Sequence, residues 1–317
     1  MTQNARSLAG VFMLAAMALG GCASIVPQTA TLRTSLAPEL HNRVELADVP
    51  FFAQDEYQCG PAALAMVMAA AGLKVTPEQL VPEVYIPERK GSLQVEMLAA
   101  ARRHGLVSYQ LAPRYADMLT EVSAGNPVII LQNLGFSESW HYAVAIGYDY
   151  YWGKLYLRSG TTKRQVMAFT INEIVWMRSG YWAMVALPPD RIAATADEDR
   201  WLTAVAALER AGDARAARTA YQKFLERWPD NVAAAIGLAN THHALGELRD
   251  AETVLRRAAH IDPKSVIVLN NLAQTLSDDG RNAEALPIID RAASLGGPYA
   301  SAVEETRKTI RERLQNK

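Results

Sequence analysis

The spacing of apolar side chains predicts that helices open the folded part of the chain. After residue 59, apolar residues recur at helical intervals and Gly72 supplies a stop signal. These apolar residues are Leu64, Val67, Met68 and Ala71. The segment Thr76-Pro77-Glu78-Gln79 has the sequence of a capping box, which predicts a second helix. A third helix is expected over residues 92–103.

Beyond residue 125 the pattern changes to short runs of β-branched, aromatic and small apolar residues, which are typical of strands. The predicted strands are 128–131, 141–148, 154–157, 165–169 and 181–187. A turn near Trp152-Gly153 joins the second and third of them into a hairpin. Helices followed by an antiparallel sheet indicate an α+β domain.

The last third of the chain repeats itself with a period of 34 residues. The period aligns one glycine column, one alanine column and one larger apolar column. The columns are Gly212, Gly246 and Gly280; Ala217, Ala251 and Ala285; Tyr221, Leu255 and Ile289. Such a period predicts stacked helical hairpins and resembles the tetratricopeptide repeat. We expect an all-α solenoid of three units over 199–299, closed by a solvating helix from Ala300.

The N-terminal segment has the features of a bacterial targeting sequence. Arg6 precedes the apolar run 8–19, which is shorter than the roughly 20 residues of a transmembrane helix. We therefore expect a signal peptide over 1–21. The ending Leu19-Gly20-Gly21-Cys22 resembles a lipobox, which implies lipidation of Cys22 and membrane attachment, and Ala23 favours the outer membrane. The alternative is an ordinary secreted protein with an incidental cysteine.

Composition narrows the classes of function. The net charge of −1 argues against nucleic-acid binding. No glycine-rich phosphate loop and no zinc spacing of cysteines is visible, so no cofactor and no metal are expected. His242 and His243 are adjacent, and adjacent residues do not share one helix face, which argues against a metal site there.

Cys59 is a candidate nucleophile because it stands where a helix begins. Lipidation of Cys22 would leave it as the chain's one free thiol, since the sequence has two cysteines. A thiol attacks as thiolate and needs a base, usually histidine. His104 ends a helix before Gly105, which favours a capping role. His141 opens an apolar strand, where it is either a catalytic base or a half-buried structural histidine.

Two motifs decide between these roles. The first motif is Gln54 followed, after four residues, by Cys59-Gly60-Pro61-Ala62. The second motif is Trp140-His141-Tyr142-Ala143-Val144. Together they resemble the motifs of the bacteriocin-processing type of papain-like cysteine peptidase. The resemblance covers roughly 49–187. It implies that Cys59 is the nucleophile and His141 the base. It also implies that Gln54 donates to the oxyanion together with the Cys59 backbone N–H, with Gln58 as a competing donor.

The third catalytic position departs from that family. The family places an aspartate near the end of the strand after the hairpin, whereas this chain has Leu155-Tyr156-Leu157-Arg158-Ser159-Gly160. Ser159 occupies roughly that place and can accept a hydrogen bond from the imidazole. Asp149 is the nearest acid in sequence, but the hairpin is expected to put it far from His141.

These observations predict a signal peptide over 1–21, a tether over 22–44, a papain-like peptidase domain over 45–188, a linker over 189–198 and repeats with a cap over 199–317. The predicted function is a membrane-anchored cell-envelope cysteine peptidase that cleaves a peptide or protein through a thioester. The repeats are expected to dock a protein partner. A peptide-binding lipoprotein without catalysis is the alternative, and the sequence does not separate hydrolysis from acyl transfer.

Overall fold

A computed structural model describes residues 25–34, 40–53, 58–135 and 139–316. The chain divides into two compact units. The N-terminal unit contains most residues up to Ala101 together with Ser108–Leu187 and Ala193–Thr195, and the C-terminal unit consists mainly of Ala196–Lys317. Among the helices in these ranges, none is long and apolar enough to cross a membrane.

Six α-helices, one short 3-10 helix (Pro87–Arg89) and nine strands of the N-terminal unit lie in the described ranges. The α-helices are α1 (Pro27–Thr34), α2 (Cys59–Ala70), α3 (Pro77–Val84), α4 (Gln94–Arg103), α5 (Tyr115–Ser123) and α6 (Phe169–Met177). The strands are β1 (Arg43–Glu45), β2 (Tyr85–Ile86), β3 (Gly91–Ser92), β4 (Val107–Gln110), β5 (Val128–Asn133), β6 (Trp140–Asp149), β7 (Lys154–Ser159), β8 (Thr162–Ala168) and β9 (Ala183–Leu187).

Strand β6 organises the main sheet. The strand order is β4-β9-β5-β6-β7-β8, and β1 also pairs with β6. The pairings of β6 with β5, β7 and β1 are all antiparallel. Helices α2 and α5 pack against β6, whose residues from Tyr142 to Tyr148 are buried. The expected α+β fold with an antiparallel sheet is thus confirmed.

A glycine explains how β1 joins β6. The register between β6 and β7 shifts at Ala145/Gly147, a bulge, and Glu45 lies opposite Gly147. A Cβ added at Gly147 would lie 2.4 Å from the carbonyl oxygen of Val44. A side chain here would therefore separate β1 from the sheet.

The structure corrects several expected boundaries. The third helix begins at Gln94, not at residue 92, because Gly91–Ser92 pairs with Tyr85–Ile86. The fourth predicted strand ends at Ala168, since Phe169 opens α6. Helices α5 and α6 interrupt the strands, so the order is not helices first and sheet second. The capping box is present at α3, where Thr76 N–H donates to Gln79 Oε1 at 2.9 Å.

Part of the expected tether over 22–44 is folded. Helix α1 begins five residues after Cys22, which lies outside the described residues, and its first turn binds a buried carboxylate. The backbone N–H groups of Gln28 and Thr29 donate to Glu173 at 2.9 and 2.7 Å. Glu173 is fully buried, and the positive end of the helix stabilises its charge. Residues 27–34 are therefore a docked element of the N-terminal unit.

A second buried carboxylate holds the segment that follows β9. Glu121 is fully buried in α5 and accepts hydrogen bonds from Asn126 Nδ2 at 2.6 Å and from Thr195 N and Oγ1 at 2.7 and 2.6 Å. Ala194 N–H adds a longer bond of 3.3 Å. Residues 193–195, expected to belong to a linker over 189–198, are thus fixed on the N-terminal unit.

The C-terminal unit is helical, as the period of the sequence predicts. Its helices are α7 (Glu198–Arg210), α8 (Ala214–Arg227), α9 (Val232–Ala244), α10 (Leu248–Ile261), α11 (Val266–Asp278), α12 (Asn282–Leu295) and α13 (Ala300–Gln315). They form three hairpins followed by a closing helix. Ala217, Ala251 and Ala285, the repeated alanine column, are all fully buried, because only a small side chain permits close helix contact.

Replacement of Gly237 by alanine is expected to destabilise the C-terminal unit. An added Cβ would lie 2.2 Å from Cζ of Tyr221, whose ring is buried and whose hydroxyl donates to Glu209 at 2.6 Å. Overpacking costs about 1–3 kcal/mol, which outweighs the gain of about 1 kcal/mol in helix propensity. Urea unfolding followed by circular dichroism measures the loss.

A Tyr221→Ala background is the control for Gly237→Ala. With the ring removed, the added methyl group has space, and the double variant should be more stable than the sum of the two single losses predicts. An unchanged unfolding midpoint in Gly237→Ala would show that Tyr221 moves without cost.

Candidate active site

Cys59 is the first residue of α2 and is half-buried. The first helical bond runs from Ala62 N–H to Gln58 carbonyl at 3.2 Å, and the Gln58 side chain makes no capping bond. Pro61 suits this first turn because it lacks the N–H that a helix start leaves unpaired. The thiol is therefore held at the positive end of the helix.

Two opposing effects act on the acidity of this thiol. Burial raises the pKa of Cys59 above 9.0, while the backbone N–H groups of Tyr142, Gly60 and Cys59 itself lower it. Burial is the larger effect. In the free protein near pH 7 the group is consequently a neutral thiol, and its activation requires a base.

Tyr142 N–H lowers the pKa of the Cys59 thiol, so the start of α2 lies close to the strand that carries the candidate base. Tyr142 follows His141 directly at the start of β6, and α2 packs against this strand. Cys59 and His141 are thus brought to the same end of β6. The geometry puts the nucleophile candidate beside the backbone of the base candidate.

His141 is half-buried, and burial lowers its pKa below 6.5. Its Nε2 lies 2.9 Å from Ser159 Oγ. When Nε2 carries the proton and donates to Ser159, Nδ1 has a free lone pair. A neutral imidazole in this tautomer can accept a proton near pH 7.

Strand register explains the contact between His141 and Ser159. Leu157 pairs with Ala145, and residues two or four positions away on each strand lie on the same face. Ser159 is two residues after Leu157, and His141 is four residues before Ala145, so both side chains lie on the same face of the sheet. Asp149 pairs with Lys154 at the other end of the hairpin, where its carboxylate accepts from Trp152 N–H at 3.0 Å. The nearest acid in sequence is thus occupied in the turn.

Gln132 is a polar neighbour of His141 that the sequence analysis missed. It lies directly opposite His141 in the β5–β6 pairing and is fully buried. Its Nε2 donates to Asn172 Oδ1 at 2.7 Å, and Asn172 Nδ2 donates to Tyr115 Oη at 3.1 Å. Its Oε1 has no hydrogen-bond partner among the residues that the structure describes. The sequence offered one signal for this residue, since Gln132 is a polar side chain directly after the apolar run Val128–Leu131.

The glycine after Cys59 is required by close packing. A Cβ at Gly60 would lie 2.3 Å from Ser92 Oγ, so β3 approaches the start of α2 only because this position has no side chain. The carbonyl of Ser92 in turn accepts from Tyr142 Oη at 3.1 Å. Ser92 therefore supports both motif segments, and nothing in the sequence around it indicates that role.

The other residues that the sequence analysis singled out lie either outside the described residues or away from the Cys59 and His141 motifs. Gln54, the expected oxyanion donor, and Cys22, the expected lipidation site, lie outside the described residues. His104 follows the last residue of α4. The adjacent histidines contact different acids: His242 Nδ1 lies 2.7 Å from Glu247, and His243 Nε2 lies 2.9 Å from Asp278.

One cluster in the repeats has the composition of a cation site. Ligand atoms of His242, Glu247 and Asp250 lie within 4.8 Å of one another. Arg218 already forms an ion pair with Glu247, however, and a cation there would meet this positive charge. The expectation of no metal stays a prediction.

Comparison with protein families divides the chain in two. Residues 46–184 match the family described as Peptidase_C39 like. Residues 208–268 and 244–301 match two models of the tetratricopeptide repeat. No curated protein matches the chain.

Solved structures match parts of both units. A C39-like peptidase from Bacillus anthracis is 19% identical, with a TM-score of 0.40 over 48% of this chain and 100% of that one. The TPR2B domain of yeast Sti1, from its complex with pHsp70, is 17% identical, with a TM-score of 0.35 over 37% and 97%. The Yersinia enterocolitica chaperone SycD, in complex with a YopD peptide, is 18% identical, with a TM-score of 0.35 over 38% and 94%.

Proposed function

We propose that this chain, which combines a Peptidase C39-like domain with tetratricopeptide repeats, is a cysteine peptidase of the bacterial cell envelope. One observation carries the proposal. The half-buried thiol of Cys59 opens a helix against the strand that begins with His141, and the far nitrogen of His141 contacts Ser159. Thiol-dependent amide cleavage uses a nucleophile, a base and an orienting group, and these three residues supply groups of those kinds.

The pKa directions define the first step. Both groups are neutral in the free protein, because burial raises the pKa of Cys59 and lowers that of His141. His141 Nδ1 therefore takes the thiol proton as sulfur attacks the scissile carbonyl. Ser159 Oγ accepts a hydrogen bond from Nε2–H of His141, which keeps the imidazole in the tautomer whose Nδ1 can take the thiol proton.

The remaining steps regenerate the enzyme. The Cys59 backbone N–H and, by family resemblance, Gln54 stabilise the oxyanion of the tetrahedral intermediate. The imidazolium then protonates the departing amine, and a thioester remains on Cys59. Water, deprotonated by His141, attacks the thioester carbonyl, and the carboxylic acid product leaves as the thiol is restored. An amine in place of water would give acyl transfer.

The repeats provide docking for a protein partner. Two equivalent grooves of ≈ 430 and ≈ 450 Å³ open on the solenoid. Leu225, Leu238 and Val254 line the first, and Ala259, Leu272 and Ile288, each 34 positions later, line the second. Apolar grooves repeated at a fixed step suit an extended peptide segment whose side chains enter successive sites.

Membrane attachment through Cys22 completes the proposal. The lipobox-like sequence before Cys22 supports it, and Ala23 favours the outer membrane, with the domains in the periplasm. Substrates would then be peptides or proteins of the envelope. Comparing the peptides released in envelope extracts by the parent chain and by Cys59→Ser tests the function. Peptides produced equally by both would remove it.

A peptide-binding lipoprotein without catalysis is the second candidate. Two observations favour it: burial raises the pKa of Cys59, and a hydroxyl of Ser159, not a carboxylate, contacts His141. Under this alternative, the cleft holds a peptide and does not cut it.

Alkylation of Cys59 by iodoacetamide is expected to be slow at about pH 6 and to rise with a midpoint above that of an ordinary cysteine thiol, because burial raises the pKa of Cys59. The reason is that burial disfavours the thiolate, so little of it exists at lower pH. Mass spectrometry of the Cys59 peptide measures the rate. Fast alkylation at about pH 6 that disappears in His141→Ala would instead indicate a preformed thiolate–imidazolium pair. Slow alkylation with peptide turnover supports the peptidase, and slow alkylation without turnover supports the binder.

A further inference from the structure

Two large aromatic side chains project from the turn between β6 and β7. Tyr151 is 79% exposed and Trp152 is 68% exposed. Their rings pack edge to face with centroids 5.0 Å apart, so they form one unit. Exposed tyrosine and tryptophan side chains are typical of the membrane–water interface, where an apolar ring and a polar group are both accommodated.

The turn that carries this pair is rigid. Trp152 N–H donates to Asp149 Oδ1 at 3.0 Å, and Gly153 N–H donates to the Tyr150 carbonyl at 3.2 Å. Phe169 N–H, at the start of α6, donates to the Gly153 carbonyl at 2.8 Å. The pair therefore has a fixed position, and little conformational entropy would be lost when it binds a surface.

The same turn contacts the helix that leads to the expected lipidation site. Tyr150 Oη donates to the Leu32 carbonyl of α1, and Glu173 holds the first turn of α1. Cys22 precedes Pro27 by five residues, so at about 3.5 Å per residue its Cα lies within about 18 Å of the helix start. A lipid on Cys22 would consequently keep this side of the N-terminal unit close to the bilayer.

Further exposed groups on these elements suit a membrane surface. Ile25, just before α1, is 56% exposed, and Ile171 in the first turn of α6 is 52% exposed. Lys154 is exposed two residues after Trp152 and can approach anionic headgroups. Asp149, the acid of this turn, is engaged by Trp152 N–H.

We propose that Ile25, Tyr151 and Trp152 form a membrane-contact surface, with the aromatic pair seated in the headgroup layer beside the lipid of Cys22. The inference rests on the proposed anchoring and adds an orientation to it. The acyl chains retain the protein at the bilayer, and the aromatic pair fixes which side of the peptidase domain faces it.

Tryptophan quenching in vesicles tests this surface. The full chain, purified from bacterial membranes, is reconstituted in phosphatidylethanolamine–phosphatidylglycerol vesicles whose acyl chains are brominated near the headgroup. The chain has six tryptophans. Trp152→Phe should remove more than half of the bromine quenching. Trp140→Phe is the matched control, since Trp140 is also exposed but lies at the other end of β6, about 30 Å away, and it should retain the quenching.

The outcomes separate the anchor from the surface. Mass spectrometry of the Cys22 peptide reports lipidation, and an unmodified Cys22 overturns the anchor and this inference together. A lipidated chain whose quenching is equal in the parent and in both variants overturns the surface alone. A third outcome is that brominated lipid does not quench Trp152, while Trp152 is protected from acrylamide in native envelopes. A protein would then cover this face, which also overturns the inference. The peptidase proposal is tested separately at Cys59.

Discussion

Replacement of Cys59 by alanine is expected to abolish amide hydrolysis, with kcat/KM at least ~10⁴-fold lower than in the parent chain. Without the sulfur no thioester can form, and His141 has no proton to accept. The measurement is mass spectrometry of new peptide termini after incubation of the purified chain with peptides from an envelope extract. Cys59→Ser should be almost as inactive, because a hydroxyl is a much weaker acid than a thiol.

Folding must be shown to survive this change. Cys59 is half-buried at the start of α2, and alanine keeps its Cβ, so the urea midpoint should move little. A Cys59→Ala chain that is folded and still cleaves every peptide of the parent would contradict the proposed mechanism. A folded, inactive chain that retains peptide binding would separate catalysis from docking.

Replacement of His141 by alanine is expected to lower kcat/KM about 10³-fold near pH 7. In the parent, the base works only when neutral, so activity should fall as pH drops through the pKa of His141, which burial holds below 6.5. The variant should lack this acid limb and instead gain activity as pH rises toward the pKa of Cys59, above 9.0, where the thiolate forms without a base. A profile of kcat/KM against pH records both changes.

Two further variants serve as controls for His141. His104→Ala, at the end of α4, should leave the profile unchanged. Ser159→Ala should lower kcat/KM about 10-fold but keep the acid limb, because the hydroxyl orients the imidazole at 2.9 Å without accepting the thiol proton. An acid limb that persists in His141→Ala would assign the base to another residue.

The sequence predicted those parts of the fold that repeat or alternate over many residues. The glycine and alanine columns fixed the hairpins of the C-terminal unit, and the apolar run of β6 marked the centre of the sheet. Strand β1 escaped prediction because it has three residues and pairs only where Gly147 leaves room. The sequence predicts a tether where helix α1 lies, because the first turn of this helix is bound by Glu173, which lies far away in sequence.

For the candidate site too, the sequence predicted the residues that lie in local motifs and missed those whose position depends on tertiary structure. Local motifs point to Cys59 and His141, and the resemblance to the peptidase family points to Ser159 as the residue at the third catalytic position. The position of Gln132 opposite His141 depends on the register of β5 and β6, and the effect of Tyr142 N–H on the thiol depends on how α2 packs. Such relations arise from tertiary structure, so they leave no local pattern. The catalytic roles of all these residues remain predictions.

The carboxylate of Glu121 dictates where the chain can be divided for separate production of its halves. Truncation after Leu187, where the last described strand ends, would remove the Thr195 donors and leave the Glu121 side chain with Asn126 as its remaining described partner. Leaving a buried polar group without its hydrogen-bond partner typically costs about 1–3 kcal/mol. A fragment that contains the N-terminal unit should therefore extend through Thr195, eight residues past the point that strand boundaries alone would suggest.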